Sequence, residues 1–241
     1  MTKKNNALSY HKETVVKNSK IFSILFLEII LGSFFVVSLI VIFLKLHDEV
    51  FEKEFTQFDV GILHFLYDYR NPILNSFMIF ITDFGADIML ALWVILIISL
   101  IYKKYFREGV LLGFVLSMTA FINFMLKLLI QRPRPQFHPL IIENGFSFPS
   151  GHAMDSFVFY MTLVYLLYHL TKKKLLTIIA GILASVLVLT IGISRVYLGV
   201  HYPTDIIAGY TAGLCWMLIV FLIHRSIIYL RLFKKNRLVS L

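Results

Sequence analysis

The stretch KLLTIIAGILASVLVLTIGISRVYLGVHYPTD, Lys174 to Asp205, decides the fold. Residues 175–193 carry no charge, and at ~1.5 Å of rise per residue a helix of that length nearly matches a hydrocarbon core of ~30 Å. Such a run reads as a membrane span. An arginine, a histidine and an aspartate follow at once. Lipid would reject these groups unless they lie at the membrane edge and have a task there.

Outward from this stretch, runs at 21–46, 86–102, 108–131, 152–170 and 206–229 have the same character, giving six spans in all. The chain of 241 residues is 59% hydrophobic and 15% charged, with 23 Phe, too apolar for a soluble domain of this size. The expected fold is an all-α polytopic membrane protein. A polar, lysine-bearing tail precedes the first run and no small-residue cleavage site follows it, so that run is expected to be retained. The expected organisation is a basic tail at 1–20, a six-span domain at 21–229 and a second basic tail at 230–241.

The net charge of +9 could suggest nucleic acid, but its distribution excludes that partner. Lys3, Lys4, Lys12, Lys17 and Lys20 precede the first span, and Lys103, Lys104 and Arg107 separate the second from the third. Lys172, Lys173 and Lys174 divide the fourth from the fifth, and Arg231, Lys234, Lys235 and Arg237 follow the sixth. Six spans place these clusters on one side, which the excess of Lys and Arg marks as cytoplasmic together with both termini. A single cysteine, Cys215, allows no intrachain disulfide and no cysteine-based zinc cluster.

Three connections then face outward: 47–85, 132–151 and 194–205. In the first, Phe51, Phe55, Phe58, Ile62, Phe65 and Tyr69 recur at steps of three or four with Glu52 and Asp59 off the stripe. This predicts an amphipathic helix at the bilayer surface, either a packing lid or a gate for lipid entry. Asn71-Pro72 offers a cap and a first-turn proline for a second short helix over 72–82, ending near Gly85. The other two connections hold basic residues where the topology rule would not place them: Arg132, Arg134 and Arg195, with Lys127 at the end of the third span.

These residues lie in KLLIQRPRP (127–135), FPSGH (148–152) and the opening stretch, each at the outer end of a span. Packing of those spans would form one pocket with several cations, a helix start at Ser150-Gly151-His152 and two imidazoles. Cations with exposed helix-start amides make an anion site, and arginine adds bidentate recognition of phosphate oxygens. Hydrolysis of a phosphate ester also needs a nucleophile and a proton for the leaving oxygen. His201, four residues before Asp205, can be oriented by that carboxylate, which leaves His152 as the acid. Zinc on the two histidines and Asp205 is the competing chemistry; the cations and the lack of a second carboxylate nearby oppose it.

Lys127, six residues, then Arg134-Pro135; Pro149-Ser150-Gly151-His152; and Ser194-Arg195, five residues, His201, three residues, Asp205 resemble the three-part signature of the type 2 phosphatidic acid phosphatase superfamily. The bacterial membrane branch, with phosphatidylglycerophosphatase B and undecaprenyl-pyrophosphate phosphatases, has the same size and topology. The resemblance implies a phosphohistidine on His201, with His152 protonating the leaving group and Asp205 orienting His201. It also implies phosphoryl binding by Lys127, Arg134, Ser150, Gly151 and Arg195, without metal or other cofactor. Phosphatidylglycerol phosphate, phosphatidic acid and undecaprenyl pyrophosphate are all substrates it allows.

A phosphotransferase, a vanadate-dependent oxidase and an anionic-ligand transporter are the alternatives. No internal repeat or broken pair of spans supports a transporter. Arg132 reads as a headgroup contact or a solvated side chain, Glu28 as an interhelical partner, and Asp155 as a cap or a tuner of His152. His138 lacks an orienting partner at fixed spacing, and His169 and His224 read as interfacial.

Overall fold

The structure, a computed structural model, describes residues 2–52 and 54–239, with side chains at 21–52, 54–231 and 233. The basic side chains expected at 3–20 and at 234, 235 and 237 lie outside that description. The described chain is helical: α1 (Thr2–Phe51), α2 (Thr56–Asp68), α3 (Pro72–Asp83), α4 (Asp87–Tyr102), α5 (Phe106–Ile130), α6 (Gly151–Thr171), α7 (Lys174–Tyr197) and α8 (Pro203–Val239). Six stretches are long and apolar enough to cross a membrane: Ile21–Phe51, Pro72–Tyr102, Phe106–Ile130, Gly151–Thr171, Lys174–Tyr197 and Pro203–Arg231. This is a multi-pass membrane protein.

The second stretch includes α3 as well as α4. Alone, the 16 residues of α4 reach about 24 Å, short of a ~30 Å core. Only the turn 84–86 separates it from α3. As the sequence predicts, Asn71 caps α3, its side chain accepting from Leu74 N at 3.0 Å, with Pro72 at the first helical position.

The chain forms two compact units. In the first, Met1–Ser38 with Met217–Leu241, Phe22 rests on Tyr229 at 4.1 Å between ring centroids, and Glu28 pairs with Arg225 at 3.2 Å. The partner expected for Glu28 is thus an arginine.

In the second unit, Leu39–Trp216, α6 packs against α7 and α5, α3 and α2 pack against α7, and α4 packs against α5. The stripe of α2 is mostly exposed, as a helix lying against the bilayer would have it, with Phe55 and Ile62 partly buried. Phe58, Phe65 and Tyr69 are exposed, whereas Asp59 and Leu63, one turn apart, point inward. Phe51 belongs to α1. Aromatic side chains can face outward at no cost where lipid rather than water surrounds them, and what the sequence did not mark is the buried carboxylate of Asp59 on the opposite face.

Three details bring the signature segments together. Gln131 ends α5 in the left-handed conformation, its N–H bonding Lys127 O at 3.0 Å, and thereby turns 132–150 back over the helix ends. Gly199 has φ +77 and a Cβ there would lie 3.1 Å from Arg70 Nη2 and 3.2 Å from Phe137 O, so a side chain would be both strained and crowded. Arg70 fixes that corner by donating to Tyr197 O (3.0 Å from Nε) and His138 O (2.6 Å from Nη1). His138 serves the loop through its carbonyl and through ring contact with Tyr67.

Candidate active site

His201 lies in the short turn between α7 and α8, and Asp205 in the first turn of α8; both are buried. Asp205 Oδ2 is 3.3 Å from His201 Nδ1 and accepts from Tyr202 N at 2.8 Å. The opposite ring nitrogen, Nε2, stands 3.2 Å from Arg134 Nη1. An arginine only donates, so this arrangement puts the His201 proton on Nδ1 and the lone pair on Nε2. Burial pushes the imidazole down to about 4; the Asp205 hydrogen bond and charge oppose this, and the Arg195 and Arg134 charges add to it. At neutral pH the ring is therefore uncharged and able to attack.

Arg134 is held by main-chain acceptors, donating to Val200 O at 3.0 Å, Gly145 O at 3.1 Å and Asn144 O at 3.2 Å. Arg195, 1% exposed near the end of α7, donates to Thr82 Oγ1 at 2.9 Å and to Glu143 Oε1. Glu143 also faces Arg134 at 3.4 Å. Burial pushes Glu143 up, but the Arg195 charge and hydrogen bond, with Arg134 and His201, outweigh it and hold the carboxyl below its usual range.

Lys127 lies within electrostatic range of Arg134, Glu143, Asp205 and Arg195. His152 interacts in the same way with Arg195, His201, Lys127 and Arg134. Ser150 caps α6 through its Oγ, which accepts from Ala153 N at 3.4 Å, while its own N–H donates to Asp205 O at 3.0 Å. A Cβ on Gly209 would lie 2.7 Å from Ser150 O, so this glycine lets α8 approach the start of α6. Gly151 opens α6 beside Asn123, whose Oδ1 would be 3.1 Å from a Cβ there. The sequence-predicted residues thus converge. Among the described residues no three His, Cys, Asp or Glu side chains are grouped to hold a metal ion.

Residues 108–229 match the PAP2 superfamily, a range that holds His152, His201, Asp205 and the cations Lys127, Arg134 and Arg195. The chain belongs to the PAP2 superfamily. It is 40% identical over 157 residues to phosphatidylglycerophosphatase B of Bacillus subtilis (strain 168), covering 63% of this chain and 75% of that protein. Identity to an undecaprenyl-diphosphatase of Sulfolobus acidocaldarius is 30% over 155 residues, 58% of this chain and 66% of that one. Among solved structures, the transmembrane PAP2-type phosphatidylglycerolphosphate phosphatase from Bacillus subtilis aligns with a TM-score of 0.75 at 34% identity, covering 80% of this chain and 96% of that chain.

Around this PAP2 centre the structure adds residues that no motif marks. Arg132 is neither solvated nor free: it donates to Asp205 Oδ1 at 2.5 Å, Thr204 Oγ1 at 2.8 Å and Asp59 Oδ2 at 2.7 Å, and covers the Tyr202 ring at 4.1 Å. Asp59 in turn accepts from Thr204 N at 3.0 Å and Thr204 Oγ1 at 2.7 Å. Helix α2 therefore supplies a carboxylate behind the His201–Asp205 pair, a role that neither a lid nor a gate describes. Asp155 interacts electrostatically with Lys127, and its Oδ1 has no hydrogen-bond partner among the described residues.

Proposed function

We propose that the protein is an integral membrane lipid phosphatase that hydrolyses a phosphate monoester or diphosphate through a phosphohistidine on His201. What carries this reading is the His201 ring, bonded at Nδ1 to Asp205 and open at Nε2 toward Arg134. Nε2 forms a bond to phosphorus while the bond from phosphorus to the lipid oxygen breaks. His152 gives its proton to that oxygen. Asp205 keeps the proton on Nδ1 and stabilises the cationic phosphohistidine. Water then attacks phosphorus, His152 takes its proton, and phosphate leaves with Nε2 free again. Arg134, Arg195 and Lys127 neutralise the charge on the phosphoryl oxygens in both steps, with Gly151 and Ser150 at the start of α6 beside them.

The substrates are lipids with a terminal phosphate, among them phosphatidylglycerol phosphate, phosphatidic acid and undecaprenyl pyrophosphate. The names of the relatives support the first and third. The bilayer holds their tails, both termini are cytoplasmic, and the site opens on the extracytoplasmic side. Purified protein should release phosphate from these lipids in EDTA, and His201→Ala should abolish release. Loss of turnover in EDTA with recovery in magnesium or zinc would replace this reading with a metal mechanism. A folded His201→Ala protein that keeps its activity would remove the nucleophile assigned here.

A further inference from the structure

Two of the three cations assigned to the phosphoryl group are already in contact with an anion. Glu143 Oε1 accepts from Arg195 Nη2, and Oε2 is 3.4 Å from Arg134 Nη2. Its carboxylate is within electrostatic range of His201. Glu143 lies on the connection 131–150, is 27% exposed, and follows Ile142, which is 94% exposed. The bond also leaves Arg195 incompletely used: Nε, buried, has no partner among the described residues. A carboxylate has two oxygens with which to meet a fork of donors, and a phosphoryl group has three.

We propose that Glu143 occupies the phosphate seat as a charge-selective competitor, so that only an anion carrying more than one negative charge displaces it. The proposal rests on the assignment of Arg134 and Arg195 to phosphate binding. A phosphate monoester carries about −1.5 to −2 at neutral pH. Exchanging it for one carboxylate adds negative charge to a seat rich in buried cations. A phosphodiester carries a single charge, so its exchange for Glu143 gains nothing electrostatically and loses a bond already made. The bulk phospholipids around a membrane enzyme are phosphodiesters. Glu143 thereby keeps the site from filling with the headgroups of its own solvent, while a monoester or diphosphate enters.

The test uses full-length protein in detergent at pH 8, with inorganic phosphate, dimethyl phosphate and phosphatidylglycerol as inhibitors of turnover. Wild-type protein should bind phosphate and ignore dimethyl phosphate at equal concentration. Comparable inhibition by the two overturns the proposal without any variant. Glu143→Gln, whose amide oxygen can still accept from Arg195, should lower the inhibition constant for phosphate and the KM for a monoester lipid by about tenfold or more. That is about the difference between breaking a bond from the guanidinium to a carboxylate and breaking the weaker one to a neutral amide. The same variant should become sensitive to phosphatidylglycerol. Unchanged or weaker phosphate binding in Glu143→Gln would show that Glu143 assists the seat or stands apart from it, and the proposal fails. Arg195→Ala separates this from failure of the underlying assignment: if it leaves phosphate inhibition and KM unchanged, the seat itself has been misplaced.

Discussion

Replacing Asp59 by asparagine tests whether the first outer helix takes part in catalysis. Asp59 is 1% exposed and accepts from Thr204 N, Thr204 Oγ1 and Arg132 Nη2 at 3.0, 2.7 and 2.7 Å. Asparagine keeps an oxygen for Thr204 N but turns an NH2 toward the other two donors. The Thr204 hydroxyl can rotate and accept; the guanidinium cannot. The net loss is one charge-assisted bond, about 2–3 kcal/mol of stability. Arg132 is then left with Asp205 as its one carboxylate, through Oδ1 at 2.5 Å, and draws on the group that orients His201. We expect kcat to fall about tenfold, corresponding to ~1.4 kcal/mol in the barrier. This is far less than the ~10⁴-fold loss when a serine-protease triad loses its own carboxylate. The assays are phosphate release at saturating lipid, well below the melting temperature, and a thermal melt in detergent. Arg132→Ala, which strands two buried carboxylates, should melt lower still, by about 3–5 kcal/mol. An Asp59→Asn protein with wild-type melting and wild-type kcat would refute the coupling.

Two further outcomes follow from the site. Because burial holds the His201 imidazole at about 4, the acid limb of kcat/KM belonging to the enzyme should lie near pH 4 rather than 6.5, and Asp205→Asn should move it lower by removing the bond and charge that raise it. A second limb near ~6, from the second ionisation of a monoester, should shift with the substrate whereas the His201 limb does not; a substrate-independent limb at 6.5 would contradict the assignment. The same depression means that folding favours the neutral ring, so its contribution to stability is full above about 6.5 and disappears as pH falls toward about 4. Topology is tested by single cysteines in a Cys215→Ser background: a residue at 140 should label in intact cells and one at 173 should not, and the reverse pattern would invert the orientation.

Most signature residues were legible in the sequence because they sit at or near the end of an apolar run, where helix geometry delivers them, while Arg134 and His201 lie in the connections just beyond. Lys127 closes α5, His152 opens α6, Arg195 closes α7 and Asp205 opens α8. Asp59, Thr82 and Glu143 were not legible, since no local spacing connects them to their partners. Asp59 is one acid among several between 48 and 68, and its burial depends on which face of α2 meets α7. Hydrophobic periodicity finds the lipid-facing stripe there but gives no sign that the polar face buries Asp59 against protein. Arg132 was misread for a related reason: two residues from Arg134 on an irregular segment, it could only be given a direction by the turn at Gln131.

The reach of Asp59 across the chain also has a consequence for synthesis. Its partner Arg132 lies 73 residues later, and Thr204, which supplies two of its three hydrogen bonds, lies 145 residues later. At the ~5–20 residues per second of translation, the second interval lasts about 7–30 s. Throughout it, the carboxylate of α2 waits for donors that the ribosome has not yet made. The His201–Asp205 pair and its connection to α2 are thus completed in a single late event, the arrival of the last transmembrane helix.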